Sequence, residues 1–196
     1  MTMFLKILFS VILVDNLVLS KFLGICSFLG LTKELKSAMG MSAAVTFVMM
    51  VGTAVTWPIY TFILEPFDMG FLQNVIFILV IASTVQVIEA ILKKSIPSLY
   101  RAMGIYLPLI TTNCAILGVM FLNIDNGYNF IQSMANGIGA GLGYMLAMFL
   151  FVGVRAKLRQ GNPPKFMRGL PITLIAAGLV SLSFFGFKGV IENLFG

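Results

Sequence analysis

Two stretches decide how this chain is read: Leu23-Gly24-Ile25-Cys26-Ser27-Phe28-Leu29-Gly30 and Thr111-Thr112-Asn113-Cys114-Ala115-Ile116-Leu117-Gly118. They hold the only 2 cysteines among 196 residues, and in each a glycine follows the cysteine at the fourth position. Each cysteine lies in the first apolar segment of its own half of the chain. A twofold-related structure would therefore bring one thiol from each half to a central site.

The residues around these stretches fix the solvent. Apolar residues make up 59% of the chain and charged residues 10%, and mean hydropathy is +1.02. A soluble domain of this size has no use for so much apolar surface, so the chain reads as a polytopic membrane protein. A helix needs about 20 apolar residues to cross a bilayer. Six stretches qualify, at 4–30, 38–64, 71–92, 100–123, 131–154 and 169–191. The connections are short, which predicts one all-α membrane domain over 1–196. The short alternating segments of a membrane β-barrel do not occur. The amino-terminal run is too long for a signal peptide, lacks an Ala-x-Ala site and is interrupted by Asp15 and Lys21, so it reads as the first span.

Charge predicts the orientation. The connections after spans one, three and five carry Lys33 and Lys36, then Lys93, Lys94 and Arg101, then Arg155, Lys157, Arg159, Lys165 and Arg168. The opposite side carries only Lys6 and Lys188, beside the acidic Glu65, Asp68, Asp125 and Glu192. The positive-inside rule puts the basic side in the cytoplasm and both termini outside. Trp57, Tyr60 and Tyr128 then fall at the outer interface and Tyr100 at the inner one, as in an aromatic belt. Orientation accounts for the net charge of +6 without a nucleic-acid partner.

The halves repeat. Laying Cys26 on Cys114 aligns Gly30 with Gly118, and then Ser37-Ala38-Met39-Gly40 with Ser133-Met134-Ala135-Asn136-Gly137. With three spans in each half, 1–97 and 98–196, the second half enters from the opposite face. The repeat must then be inverted, which places a site near the midplane between halves. Breaks are expected in spans one and four, where Gly24 precedes Cys26, and Pro108 and Thr111-Thr112-Asn113 precede Cys114. Cys26 stands seven residues before Lys33. At about 1.5 Å per residue a helix would leave it short of the midplane, whereas extended chain at about 3.3 Å per residue would reach it. A central Cys26 thus calls for unwinding or an inward dip over 27–32; the alternative is a plain helix with Cys26 near the inner surface.

Three readings of the thiols stand. A free buried cysteine behaves as a small hydrophobe. A disulfide is a second reading, without much precedent in mid-membrane. The third is metal ligation. Iron–sulfur clusters are normally held by four cysteine thiolates, and this chain has two and no histidine. A cluster here needs two thiolates from another chain. The lack of histidine also excludes His-ligated haem and a histidine proton relay within this chain.

The stretches Leu17-Val18-Leu19-Ser20-Lys21-Phe22-Leu23-Gly24-Ile25-Cys26 and Leu107-Pro108-Leu109-Ile110-Thr111-Thr112-Asn113-Cys114, with the late Phe184-Phe185-Gly186-Phe187, resemble the Rnf/Nqr membrane-subunit family. That family serves ion-translocating ferredoxin:NAD⁺ oxidoreductases and Na⁺-pumping NADH:quinone reductases. The resemblance covers essentially the whole chain. It implies two inverted three-helix repeats in the bacterial cytoplasmic membrane. It implies pairing with a paralogous subunit of opposite topology (E-type), within a complex that also has B, C, D and G types. It implies one [2Fe–2S] cluster between the pair, with Cys26 and Cys114 as two of its four ligands, carrying electrons across the membrane. Electron flow would be coupled to Na⁺ or H⁺ translocation.

Other polar residues have paired readings. Asp15, a charge that is costly inside a span, lines a cation route with Asn16 or lies near the outer end of its helix. Lys21 snorkels, and Glu89 pairs with Lys93 one turn on. Thr112 and Asn113 either donate to cluster sulfurs or satisfy broken backbone. Gly137, Gly139, Gly141 and Gly143 form a ridge for close helix packing rather than a phosphate loop. The basic segment from Arg155 to Arg168 docks a partner or anionic headgroups, or only sets orientation. The chain has no dinucleotide fingerprint, ferredoxin-type cysteine run or flavin attachment motif, so it is an electron-carrying subunit rather than a complete enzyme. The alternatives are a small inverted-repeat secondary transporter and a non-redox structural subunit.

Overall fold

The computed structural model describes residues 8, 10–32, 34–66, 70–95, 107–161, 164 and 167–195. Lys6, Lys33, Asp68, Tyr100, Arg101 and Lys165 lie outside the described residues. The described residues are helical, with no strand among them.

The first span is broken. A π-helical turn, Ser10–Val14, gives way to ten non-helical residues at 15–24, and a short helix α1 follows at Ile25–Leu31. The expected unwinding over 27–32 is not found: these residues are helical through Leu31, and the break precedes Cys26. Its cause is local. Asn16 turns its Oδ1 onto the backbone N–H groups of Val18 (3.1 Å) and Leu19 (3.4 Å), a side-chain turn that competes with helix. Phe22 and Gly24 then take positive φ, 57° and 85°.

Helix α2 spans Leu35–Ile59 and runs on through a π turn, Tyr60–Leu64. Pro58 sits just before that turn and lacks the N–H that an α-helix requires, and the ladder widens to the Glu65 N–H···O=C Tyr60 bond at 3.0 Å. Helix α3 spans Gln73–Ser95, α4 Leu107–Thr111, α5 Cys114–Asp125, α6 Phe130–Gln160 and α7 Leu170–Phe195. The fourth span is thus broken as expected, at Thr112-Asn113. Among the described residues, three helical stretches are long and apolar enough to cross a membrane, Leu35–Leu64, Gln73–Ala90 and Phe130–Gln160; Leu109–Asp125 and Leu170–Gly186 are shorter apolar stretches.

Helices α2 and α6 form the central pair, with α5 and α3 on α2 and the Ser10–Val14 turn and α7 on α6. The core repeats at helical spacing: Met41, Val45, Val48 and Met49 from α2 meet Ala140, Tyr144, Ala147, Met148 and Phe151 from α6 and Ile116, Val119 and Met120 from α5. The glycine ridge serves two faces of α6. A Cβ on Gly137 would lie 3.0 Å from Thr53 Oγ1, and one on Gly141 would strike Thr46, both on α2. A Cβ on Gly143 would lie 3.3 Å from the Val11 carbonyl and 3.2 Å from Asn16 Nδ2. Each face carries glycines four apart, the spacing that lets membrane helices approach closely. Large apolar side chains such as Phe62, Phe71, Leu79, Ile131 and Leu182 stay exposed on the outside, where lipid replaces water.

At one end of the bundle, Trp57 donates from Nε1 to the Tyr128 carbonyl at 3.0 Å and packs edge-on to Phe130 at 5.4 Å. The structure thereby joins two of the aromatic residues expected at the outer interface.

Candidate functional site

Both cysteines stand where a broken helix restarts. Cys26 is the second residue of α1, and Cys114 opens α5. The two thiols are near neighbours, and both are free and exposed at the surface of the bundle. The backbone N–H of Gly24 donates to Cys114 Sγ at 2.9 Å. The residue two before one cysteine thus hydrogen-bonds the other cysteine.

This crossing needs a glycine. Gly24 has φ 85° and ψ 14°, a left-handed conformation. A Cβ there would lie 3.0 Å from Ala115 Cβ, 3.2 Å from Tyr144 Cε2 and 3.3 Å from Asn113 Oδ1. The other half of the crossing is fixed by Asn113, the N-cap of α5, whose Oδ1 accepts from the Ala115 N–H at 3.0 Å.

A buried polar network ties the halves together beneath the thiols. The Ser27 hydroxyl donates to the Gly24 carbonyl at 3.0 Å. Its oxygen accepts from Asn113 Nδ2 at 3.3 Å. Because the single Ser27 proton is committed, the Tyr144 hydroxyl, 2.7 Å away, is the donor of its bond to Ser27 Oγ. Ser27 and Tyr144 are 0% exposed. One residue after Cys26, one residue before Cys114 and one from the middle of α6 therefore share a saturated network.

Helix α1 is docked along a stripe of α6. Above the Tyr144–Ser27 bond, Phe28 and Phe151 stack with ring centroids 4.4 Å apart. Beyond them Arg155 Nη1 donates to the Leu29 carbonyl at 2.6 Å and to Thr32 Oγ1 at 2.9 Å. A short helix leaves its last carbonyls unpaired, and a cation at that end satisfies them and complements the dipole. From the sequence alone, Arg155 is legible as a basic-loop charge and not as a contact of the Cys26 helix.

The remaining expected residues fall as follows. Asn113 is in the network, and Thr112 lies exposed in the break beside it. Asn16 is 1% exposed and donates from Nδ2 to the Gly143 carbonyl at 2.8 Å and to the Ile12 carbonyl at 3.2 Å. Asp15 is half-buried next to it, its N–H bonded to the Ser10 carbonyl at 2.8 Å, and Lys21 is exposed. Ser27 and Tyr144 are site residues that sequence reasoning does not single out, whereas Gly24 is legible only as a helix break and Arg155 only as part of the basic segment. Among the described residues, no three or more of His, Cys, Asp and Glu gather as a metal site.

A family model described as Rnf-Nqr subunit, membrane protein, matches residues 4–191. The chain belongs to the Rnf-Nqr family. Within this family it is 53% identical over 184 residues, 94% of this chain and 96% of the relative, to the protein named as the A-type subunit of the Na⁺-translocating ferredoxin:NAD⁺ oxidoreductase complex of Acetobacterium woodii. It is 50% identical to the A-type subunit of the ion-translocating oxidoreductase complex of an Azoarcus species, over 98% of this chain and 100% of the relative. It is 46% identical, with the same coverage, to the protein named as the A-type subunit of the proton-translocating ferredoxin:NAD⁺ oxidoreductase complex of Clostridium ljungdahlii.

Proposed function

We propose that this chain is the A-type membrane subunit of an Rnf-type ion-translocating ferredoxin:NAD⁺ oxidoreductase and that Cys26 and Cys114 are its half of a [2Fe–2S] site. The observation that carries this reading is the pairing of two exposed free thiols, one per half, by a glycine crossing. Membership of the family and near-complete coverage of relatives named as A-type subunits support the complex.

The donor set fits the group. Soft thiolates suit iron–sulfur chemistry, and two of the usual four are present. The exposed side of the pair is open to the remaining two, which a paralogous E-type subunit of opposite topology would supply. The cluster would supply one-electron transfer. The chain's own residues hold the ligands. The Gly24 N–H and the capped start of α5 hold Cys114 Sγ in place. The Ser27, Asn113 and Tyr144 network fixes the backbone on both sides of the pair. Arg155 fixes the far end of the Cys26 helix.

The element order supports an inverted repeat over 1–97 and 98–196: a broken span bearing the cysteine, a long central helix, then a third helix, twice over. Basic loops on one side support a cytoplasmic-membrane location with the termini outside. Relatives of similar identity are named for Na⁺ and for protons, so overall likeness does not choose the ion. Asp15, beside the Asn16-pinned break, is our candidate for the ion route.

The test is iron, acid-labile sulfide and the reduced-state EPR signal of the chain purified anaerobically with its membrane partner, for wild type, Cys26→Ser and Cys114→Ser. About two irons in wild type, lost in both variants with the complex intact, is the expected result. An intact wild-type complex without iron would overturn the cluster and return the transporter and scaffold readings to the front.

A further inference from the structure

Away from the cysteines, the ends of α6 and α7 border an open pocket of about 390 Å³ lined by Arg155, Leu158, Arg159, Arg168, Ile172 and Thr173, together with Gly161 and Gly169. Three guanidinium groups line it and, among the described residues, no carboxylate does. Arg155 and Arg159 are four apart on α6, where like charges repel. Leu170 opens α7 at the same place, so the positive end of that helix adds to the field. Such an arrangement is eased by an anion, and guanidinium forks match phosphate oxygens.

We infer that this pocket binds the phosphate of an anionic phospholipid. Two observations favour a lipid over a free anion or an acidic protein segment. The pocket has apolar walls, Leu158 and Ile172, beneath its arginines. From the pocket, α7 runs on with apolar side chains exposed along its length: Leu170 at 65%, Leu174 at 51%, Leu179 at 61% and Leu182 at 69%. A basic pocket at the head of a helix with an apolar outer surface matches a molecule with a phosphate head and an acyl tail. The ends of membrane helices on the face rich in Lys and Arg are where such headgroups lie. Arg155 also holds the Leu29 carbonyl and Thr32. The lipid site and the Cys26 helix therefore share one side chain.

The test uses the assembled complex in mild detergent, titrated with phosphatidylglycerol or phosphatidylcholine, with retained lipids counted by native mass spectrometry. Wild type should hold one phosphatidylglycerol far more tightly than phosphatidylcholine. The Arg159→Gln/Arg168→Gln variant should weaken that binding by about 25-fold, about fivefold for each charge near an anionic headgroup. A charge-matched control, Lys36→Gln/Lys94→Gln, should bind as wild type does. Equal wild-type affinity for the two lipids would overturn the proposal without recourse to any variant. So would unchanged phosphatidylglycerol binding in the double arginine variant. Displacement of the lipid by millimolar inorganic phosphate would assign the pocket to a free anion instead. Loss of a neighbouring subunit, with lipid binding intact, would make it a protein contact.

Discussion

The backbone N–H of Gly24 donates to Sγ of Cys114 across 2.9 Å, joining residues 90 positions apart. This bond makes each cysteine's position depend on the other's motif. It also explains why a glycine two residues before Cys26 matters more than the one four residues after it. A Cβ on Gly30 would meet nothing within 4 Å, whereas one on Gly24 would press on Ala115, Tyr144 and Asn113.

Gly24→Ala should therefore separate the thiols. The left-handed backbone alone costs a non-glycine residue about 1–2 kcal/mol, and the contact with Ala115 adds to it. Gly24→Asn tolerates the backbone conformation better but meets the same neighbours, so it should rescue little. Gly30→Ala should leave the fold intact. Thermal unfolding of the purified chain and disulfide formation between Cys26 and Cys114 under mild oxidant report both effects. A Gly24→Ala protein that crosslinks as readily as wild type would show that the crossing does not position the pair.

The Ser27 hydroxyl is the hub of the network, so removing it should cost more than removing Tyr144's hydroxyl. Tyr144→Phe deletes one donor and leaves Ser27 bonded to Gly24 and Asn113, at about 0.5–1.5 kcal/mol. Ser27→Ala strands the buried Tyr144 hydroxyl and weakens Asn113, at about 1–3 kcal/mol. In Ser27→Ala/Tyr144→Phe the stranded hydroxyl is gone, so the double variant should be more stable than the sum of the two losses. Melting temperatures of all four proteins complete the cycle, and strict additivity would mean the two groups do not interact.

The legible parts of this molecule were those written in local sequence. The membrane class follows from composition, and the break in the fourth span from Thr112-Asn113, with Asn113 an ordinary helix cap. The glycine ridge was legible as a packing surface, though its division into two faces became visible only with two neighbours in place. The break in the first span falls where Gly24 predicts it, before Cys26, but reaches back to Asp15. Asp15-Asn16 suggests charge and ion chemistry, yet an asparagine that bonds backbone two and three residues ahead is itself a turn signal. Tyr144 and Arg155 were not legible as site residues. They stand 117 and 126 positions from Ser27 and Leu29, and only the packing of α1 on α6 brings them together. A tyrosine buried among glycines was the single hint.

Asp15 is open to a direct test in the ion-pumping assembly. Its neighbour Asn16 spends both polar atoms on backbone groups, which leaves the Asp15 carboxylate as the acidic group in the break. Asp15→Asn keeps the shape and removes the charge. Ions moved per electron in proteoliposomes should fall by at least half, with electron transfer between soluble donor and acceptor retained. An unchanged ratio would take Asp15 out of the ion route.

Arg155 should control how firmly Cys26 is held. Its two bonds to the Leu29 carbonyl and Thr32 close the end of a seven-residue helix that is too short to be stable alone. Arg155→Ala removes both, at about 1.5–3 kcal/mol for hydrogen bonds from a charged donor. Arg155→Lys keeps the charge but lacks the planar fork, and should fall between. Loosening α1 should let Cys26 swing away from the pair more often, with Cys114 still held at the start of α5 by the Asn113 cap. Alkylation of each cysteine by a maleimide, followed in single-cysteine backgrounds, separates the two. Cys26 should react severalfold faster in Arg155→Ala than in wild type, with Cys114 little changed. Equal acceleration at both positions would mean that Arg155 supports the whole bundle rather than the cysteine helix.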